Sequence, residues 1–223
     1  MTGREDLVSA LERIPLFAGL PENQLRRLAS EALHQRYDRG QIVFTRGDQG
    51  DRAFVILGGA IDLVIDSADG RELILSRLGP GEHFGEMALV DDLRRSATAR
   101  AAMATELVVV LRQTFLQALD EQPEMSRQII RSLVQRLRRA DEKIEAFAYL
   151  DAAGRISRTL LDLNPESGNP VKVSHEELSH MTATSRQTTT RILGEWSDLG
   201  YVELARRGIL VKDPEALQAL AQL

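Results

Sequence analysis

The sequence predicts an α+β fold: an N-terminal β-roll of the jelly-roll barrel type, one long helix and a C-terminal winged helix-turn-helix. Short β-branched runs separated by glycine turns fill residues 36–110, a pattern typical of sandwiches and barrels. A heptad-spaced helix follows Pro123, and two short capped helices with a strand pair end the chain. We expect three parts, at residues 1–121, 122–150 and 151–223.

Composition and charge argue against several classes of protein. The 223 residues are 43% hydrophobic and 27% charged, which is ordinary for a globular protein. The net charge of −5 does not point to nucleic acid, although a local basic face can lie within an acidic chain. Without cysteine there is no disulfide, thiol catalyst or cysteine-held metal centre. No apolar run approaches the roughly 20 residues of a membrane span, and no signal-peptide core is present, so we expect a cytoplasmic protein.

The N-terminal half reads as helix followed by sheet. Leu7, Leu11 and Ile14 recur at helical spacing within residues 5–33, with a break at 19–21. Strands are predicted at residues 41–44, 53–57, 61–65, 72–75 and 107–111, with a hairpin turn at Asp69-Gly70. A short helix is expected at residues 113–120.

The long helix is predicted to pair with a second copy of itself. Pro123 suits the first turn of a helix. Apolar residues then recur in steps of three and four over nearly three heptads: Ile130, Leu133, Leu137, Ala140, Ile144 and Phe147. Such spacing favours a partner helix, and two-fold dimers are the commonest closed assembly. The alternative is an amphipathic helix that lies on its own domain. Gly154 is expected to interrupt the helical run, and residues 164–170 to form a loop.

The C-terminal residues read as a winged helix-turn-helix. Ser174 and Glu177 have the spacing of a capping box, and Ser185 is placed to cap a second helix after a turn at 182–184. Two short strands, at residues 201–204 and 208–211, complete the pattern.

One face of the second helix is suited to reading DNA. Arginine can donate two hydrogen bonds to guanine, and glutamine can pair with adenine, while small hydroxyl side chains can reach phosphates. The predicted DNA-binding residues are Ser174, His175, Ser185, Arg186, Gln187, Thr188, Thr190 and Arg191. The alternative is an ordinary solvated helix face.

Two short segments carry a resemblance to a known family. His83-Phe84-Gly85-Glu86-Met87-Ala88-Leu89 and Arg94-Arg95-Ser96-Ala97-Thr98-Ala99 are similar to the phosphate-binding cassette of cyclic-nucleotide domains. From Pro15 to the wing, the chain resembles the Crp/Fnr regulators. The resemblance implies a cyclic-nucleotide-binding roll, a homodimer that binds a pseudo-palindromic duplex, and RNA polymerase as a partner. It implies no catalysis and no metal, and we see no catalytic constellation in the sequence.

The cassette residues fit the chemistry of a cyclic phosphate. Arg95 can pair with it through two charged hydrogen bonds, Ser96 can add a hydroxyl, and Glu86 can accept from a ribose 2′-hydroxyl. The predicted ligand residues of this segment are Gly85, Glu86, Met87, Ala88, Arg95, Ser96 and Ala97. The alternative is an internal salt bridge between Glu86 and Arg95.

The chain departs from the family pattern where the long helix meets the base. Ala140 and Asp141 stand where cyclic-AMP-responsive members carry threonine and serine. Ala140 has no hydrogen-bonding group, whereas an ionised Asp141 can accept from the adenine amino group or from two N–H groups of guanine. We therefore expect cyclic AMP, with cyclic GMP as an alternative; a regulator of another small molecule and a constitutive DNA-binding protein stay open. Gln187 replaces a glutamate and His175 an arginine of the pattern, so the DNA site should differ too.

Overall fold

The predicted α+β class is confirmed by a computed structural model, which describes residues 4–68, 70–163, 169–205 and 208–222. The chain divides into two compact units. The N-terminal unit comprises Met1–Ile65 with Leu75–Arg136, and the C-terminal unit comprises Asp66–Ile74 with Leu137–Leu223. The long helix runs through the boundary between Arg136 and Leu137. No helix among the described residues has both the length and the apolar composition of a membrane span.

Helices flank the β-roll in the first part of the chain. These are α1 (Arg4–Glu12), a 3-10 turn (Pro15–Phe17), α2 (Glu22–Glu31), α3 (Met87–Val90), α4 (Arg112–Glu121) and the start of α5 (Pro123–Tyr149). The break that the sequence predicts at residues 19–21 separates the 3-10 turn from α2. Pro123 begins α5, as predicted.

In the described part of the N-terminal half, eight strands form two four-stranded sheets. They are β1 (Leu33–Tyr37), β2 (Ile42–Phe44), β3 (Arg52–Gly58), β4 (Ile61–Asp66), β5 (Glu72–Leu78), β6 (His83–Phe84), β7 (Thr98–Ala101) and β8 (Thr105–Leu111). One sheet has the order β1-β8-β3-β6, and the other β2-β7-β4-β5. Five strands match the predictions, whereas β1, β6 and β7 were not predicted. Asp69 of the predicted hairpin turn lies outside the described residues.

Two apolar clusters hold the N-terminal unit together. Phe54, Ile56 and Leu107 belong to the cluster between the sheets and are almost completely buried. The second cluster packs helices on β3 and β8, and it includes Met125 and Ile129 from the start of α5. The first turns of α5 are therefore part of the unit that carries the cassette.

The C-terminal unit contains the helix-turn-helix and an additional terminal helix. After the end of α5, its helices are α6 (Ala152–Asp162), α7 (His175–Thr182), α8 (Arg186–Asp198) and α9 (Pro214–Leu220), and its wing is β9 (Val202–Ala205) with β10 (Gly208–Val211). The wing is confirmed, whereas α9 was not predicted. Most of the predicted loop at 164–170 lies outside the described residues.

The prediction that Gly154 interrupts the helical run was wrong. Helix α5 ends at Tyr149, whereas Gly154 lies in the first turn of α6. Asp151 caps α6, because its carboxylate accepts a hydrogen bond from the Gly154 N–H at 2.8 Å. An aspartate N-cap begins a new helix as effectively as a glycine ends one.

Candidate functional site

The cassette begins at a glycine that no other residue can replace without strain. Gly85 follows β6 with φ +81°, in the left-handed region that favours glycine. A Cβ atom there would lie 2.7 Å from Nη1 of Arg95. The close approach lets Arg95 reach the Gly85 carbonyl, so the two halves of the cassette meet although these residues are ten positions apart.

Arg95 is buried and held by backbone carbonyls. It is 4% exposed, and it donates from Nη1 to Gly85 O at 2.5 Å and from Nη2 to Arg52 O at 2.7 Å. Its guanidinium lies 4.2 Å from the centroid of the Phe44 ring, a favourable cation–π contact. The salt bridge between Glu86 and Arg95 that the sequence offered as an alternative is not among the contacts of the described residues.

Glu86 pairs instead with an arginine of the long helix. Its Oε1 accepts from Nη1 of Arg136 at 2.9 Å, and Nη2 of Arg136 donates to the His83 carbonyl. Glu86 is 1% exposed, and burial raises its pKa, while Arg136 opposes that effect. Sequence reasoning missed Arg136. The sequence did contain a signal for it. Met125, Ile129 and Arg136 follow one another at steps of four and seven, which places Arg136 on the buried face of α5.

Four buried polar atoms without a hydrogen-bond partner surround this pair. Within the described part of the chain they are His83 Nε2, Glu86 Oε2, Arg95 Nε and Arg136 Nε. A buried polar group without a partner costs about 1–3 kcal/mol, so such atoms are rare in folded proteins unless a function uses them. Burial, and then Arg136, lowers the pKa of His83 to about 3, so its ring is neutral at pH 7.

A small cavity of about 40 Å³ lies beside Glu86, Arg95 and Arg136. It is lined by Phe44, Leu63, Phe84, Gly85, Glu86, Met87, Ala88, Arg95, Ser96, Ala97 and Arg136. All seven predicted cassette residues therefore line one cavity. Ligand pockets usually measure about 300–1,000 Å³, so a nucleotide requires side chains such as Arg136 to move aside. A larger cavity, of about 510 Å³, lies between α1 and α2, but its polar lining residues are exposed.

The two predicted base-contacting residues lie further along the long helix. Ala140 and Asp141 are both exposed and belong to the C-terminal unit. Ala140 is about one turn beyond Arg136, whereas Asp141 points about 140° away around the helix axis, at roughly 100° per residue. Asp141 shares its face with Leu137 and Ile144.

The predicted dimer residues divide between an exposed stripe and the protein's own interior. Ile130, Leu137 and Ile144 are 60%, 63% and 65% exposed. Leu133 packs partly buried against the N-terminal core, and Phe147 lies partly buried near Lys143 and Arg155. Val134, which was not predicted, is 45% exposed and lies beside Ile130 and Leu137 on the helix surface. We call Ile130, Val134, Leu137 and Ile144 the apolar stripe.

The helix-turn-helix forms as its capping residues predict. Ser174 and Glu177 make both bonds of the capping box, and Ser185 accepts from the Thr188 N–H at 3.0 Å. Ala183 adopts the left-handed conformation in the turn, at φ +50°. The hydroxyl groups of Thr182, Thr184 and Thr189 form a hydrogen-bonded chain behind it, with separations of 2.9 and 2.8 Å. These contacts fix the direction in which α8 leaves the turn.

The exposed face of α8 carries the predicted reading residues. Arg186, Gln187, Thr190 and Arg191 are all exposed, whereas Thr188 is half-buried with its hydroxyl 2.8 Å from that of Ser185. Arg191 forms an ion pair with Glu195 at 2.6 Å. We call these four exposed residues the reading face.

The cassette region and the C-terminal region each match a known family model. A cyclic nucleotide-binding domain matches residues 34–122, and a Crp-like helix-turn-helix domain matches residues 154–220. A CRP-like cAMP-activated global transcriptional regulator of Mycobacterium tuberculosis is 28% identical over 95% of this chain and 98% of its own length. A cyclic AMP receptor protein of Thermus thermophilus is 32% identical over 93% of this chain and 96% of its own.

Two solved structures agree with this chain in fold. A CRP/FNR-family transcriptional regulator of Thermus thermophilus superposes with a TM-score of 0.73 at 27% identity, over 85% of this chain and 98% of that one. The c-di-GMP responsive global regulator CLP of Xanthomonas campestris reaches a TM-score of 0.77 at 25% identity, over 86% and 99%. The names of these relatives include more than one nucleotide.

Proposed function

The chain belongs to the Crp/Fnr family of transcription regulators, and on this premise we propose that it is a cytoplasmic homodimer whose cassette binds a cyclic nucleotide that controls DNA binding. The unpartnered atoms of Glu86, Arg95 and Arg136, three residues that line one cavity, carry the ligand part of the proposal. A cyclic phosphate supplies acceptors for arginine N–H groups, and a ribose hydroxyl supplies a donor for Glu86 Oε2. RNA polymerase is the expected partner on the duplex.

Arg95 and Ser96 form the phosphate side of the proposed site. Both Nη atoms of Arg95 are engaged with carbonyls, so Nε is the atom left for an anion. The Ser96 side chain is exposed at the cavity and can add a hydroxyl donor. Because arginine stays charged at all ordinary pH values, the attraction for phosphate does not depend on protonation.

Cyclic AMP is the first candidate ligand, with cyclic GMP as the alternative. Asp141 is an acceptor that can take one hydrogen bond from adenine or two from guanine. Since Asp141 lies on the same face of α5 as the apolar stripe, it can serve a base only where the base reaches the interface with a second copy.

The apolar stripe supports the dimer. Four large apolar side chains in steps of four, three and seven present one continuous seam, which a two-fold related helix can cover. In a dimer, two copies of α8 can enter successive major grooves about one DNA turn apart.

Isothermal titration against cyclic AMP, cyclic GMP and cyclic di-GMP tests the ligand assignment. We expect one of them to bind the wild type, and Arg95→Gln to weaken that binding at least tenfold, because one lost charged contact is worth about 1.5–3 kcal/mol. Ser96→Ala removes a donor without disturbing a buried group, so it keeps the test valid if Arg95→Gln unfolds. Arg94→Gln is the matched control, since Arg94 is exposed and its one hydrogen bond to the described residues goes to Gly47 O, at 2.8 Å.

A second candidate is a constitutive DNA-binding protein whose β-roll is purely structural. It is favoured by one observation: Arg95 and Glu86 already have protein partners around a cavity of only about 40 Å³. No binding by any of the three nucleotides, together with unchanged DNA binding by Arg95→Gln, would establish it. If the protein binds a different small molecule instead, the β-roll is still a ligand sensor and only the identity of its ligand changes.

A further inference from the structure

One histidine is fixed between the two helices of the helix-turn-helix. His175 is the first residue of α7, directly after the N-cap Ser174. Its Nδ1 lies 3.1 Å from the hydroxyl of Thr190, a member of the reading face. The ring is only half-buried, and no contact of its Nε2 is recorded among the described residues. The imidazole is therefore anchored at one nitrogen and can offer the other to a ligand.

The surroundings of His175 disfavour the protonated form of its ring in the free protein. Burial is the larger cause that lowers its pKa, and the nearby guanidinium of Arg186 on α8 is the second. The acidic groups next to it on its own helix are Glu176, which is exposed, and Glu177, which is engaged with Ser174. Neither reverses the direction of the shift.

Docking on a duplex would change these surroundings. In helix-turn-helix proteins the second helix enters the major groove while the first helix crosses the phosphate backbone. Backbone and side-chain donors at the start of a helix are common phosphate contacts. A phosphate near Nε2 opposes both causes of the depressed pKa, because an adjacent anion favours the imidazolium form.

We propose that His175 is a protonation-dependent phosphate contact, so that each protomer takes up a proton at this ring when it binds DNA. The inference rests on the proposed DNA-binding function and deepens it: the regulator binds DNA more tightly in mild acid. Since the pKa of His175 is lowered in the free protein and rises in the complex, affinity increases as pH falls between the two values and levels off outside them.

The other histidines provide the controls. His83 is buried with a pKa of about 3, so it does not titrate near neutral pH. His34 lies 3.3 Å from Glu106, and His180 lies 3.3 Å from Glu72. His34→Gln and His180→Gln therefore remove a titratable ring without touching the link between His175 and Thr190.

The test measures DNA affinity against salt at two pH values. A duplex selected by the wild-type protein from a random-sequence pool, and an unselected duplex of equal length, are titrated at about pH 5.5 and about pH 8, with and without cyclic AMP. We expect wild-type affinity to be about three to ten times higher at the lower pH. The slope of log affinity against log salt should steepen by about one per protomer, and both duplexes should respond alike, because phosphate contacts carry no sequence information.

Substitutions at His175 separate this contact from general charge effects. His175→Gln should stay at the weaker, shallower high-pH behaviour at both pH values, whereas His175→Arg should show the steep slope at both. If wild type binds neither duplex at either pH, the proposed function itself fails. If it binds with the same affinity and slope at both pH values, or if His175→Gln and His175→Arg keep the full pH response, only the role of His175 is overturned.

Discussion

At the scale of single residues, the burial of Glu86 beside Arg136 should make the stability of the fold depend on pH. Burial raises the pKa of Glu86 in the folded protein above its value in the unfolded chain. The folded protein therefore holds the proton of Glu86 more tightly than the unfolded chain does, which stabilises the folded state at low pH. This stabilisation is lost as pH rises through the raised pKa. We expect the free energy of unfolding of the wild type to fall, relative to that of Glu86→Gln, as pH rises above about 4.5.

Urea unfolding of the two proteins without nucleotide, at a series of pH values, measures this difference. Glutamine keeps an acceptor for Arg136 but cannot ionise. Asp38→Asn is the control, since Asp38 is exposed. Parallel pH profiles for wild type and Glu86→Gln would show that Glu86 is as easily ionised in the folded state as in the unfolded state.

At the scale of single residues, local spacing was informative and long-range pairing was not. Ser174 and Glu177 form their capping box within four residues, so the sequence contains the whole interaction. The seven cassette residues also come together as predicted, because two short segments carry them. Arg136 lies 50 positions from Glu86. Its spacing from Met125 and Ile129 places it on the buried face of α5, but only tertiary packing brings it to Glu86.

Substituting alanine at two helical glycines of the C-terminal unit should change the free energy of unfolding in opposite directions. A Cβ on Gly154 would lie 2.9 Å from the carbonyl oxygen of Leu220 in α9, whereas one on Gly194 in α8 would meet nothing within 4 Å. Gly154→Ala should therefore lower the free energy of unfolding by about 1–3 kcal/mol, since backbone must shift. Gly194→Ala should raise it by about 0.4–1 kcal/mol through better helix propensity.

Chemical denaturation followed by the fluorescence of Trp196, the protein's one tryptophan, measures both changes. Trp196 is buried in α8, so it reports on this unit. Gly154→Ala as stable as the wild type would mean that α9 does not pack against α6 as closely as the structure has it.

At the scale of elements, the sequence predicted those with a clear apolar period. Strand β1 reads Leu-His-Gln-Arg-Tyr and lies at the edge of its sheet, where one strand supplies all its ladder contacts, so no alternation of apolar residues marks it. Helix α9 has only seven residues, of which Leu217 alone is buried. The hydroxyl of Ser157 in α6 donates to the Leu217 carbonyl at 2.5 Å. Both elements are specified by what they pack against.

The whole molecule is predicted to depend on the apolar stripe for assembly. Val134→Glu and Leu137→Glu place a charge on the seam while leaving both cores intact, because these side chains are 45% and 63% exposed and belong to neither cluster. We expect both variants to sediment as monomers at concentrations where the wild type is a dimer, with DNA affinity reduced at least tenfold. Arg138→Glu, also exposed on α5, is the control.

Leu133→Ala separates the stripe from the core. Leu133 packs on the N-terminal core, so its truncation should lower the free energy of unfolding by about 2 kcal/mol and leave dimer affinity nearly unchanged. Dimers of undiminished affinity from Val134→Glu and Leu137→Glu would place the interface elsewhere.

The control of DNA binding by a nucleotide is the central claim for the molecule as a whole. It is tested most directly by the affinity of wild type and Arg95→Gln for a selected duplex with no nucleotide, with cyclic AMP and with cyclic GMP. We predict that one nucleotide tightens wild-type binding by about 5- to 150-fold, the usual range of allosteric coupling, and leaves Arg95→Gln unaffected. Equal affinity of the wild type under all three conditions would contradict the account.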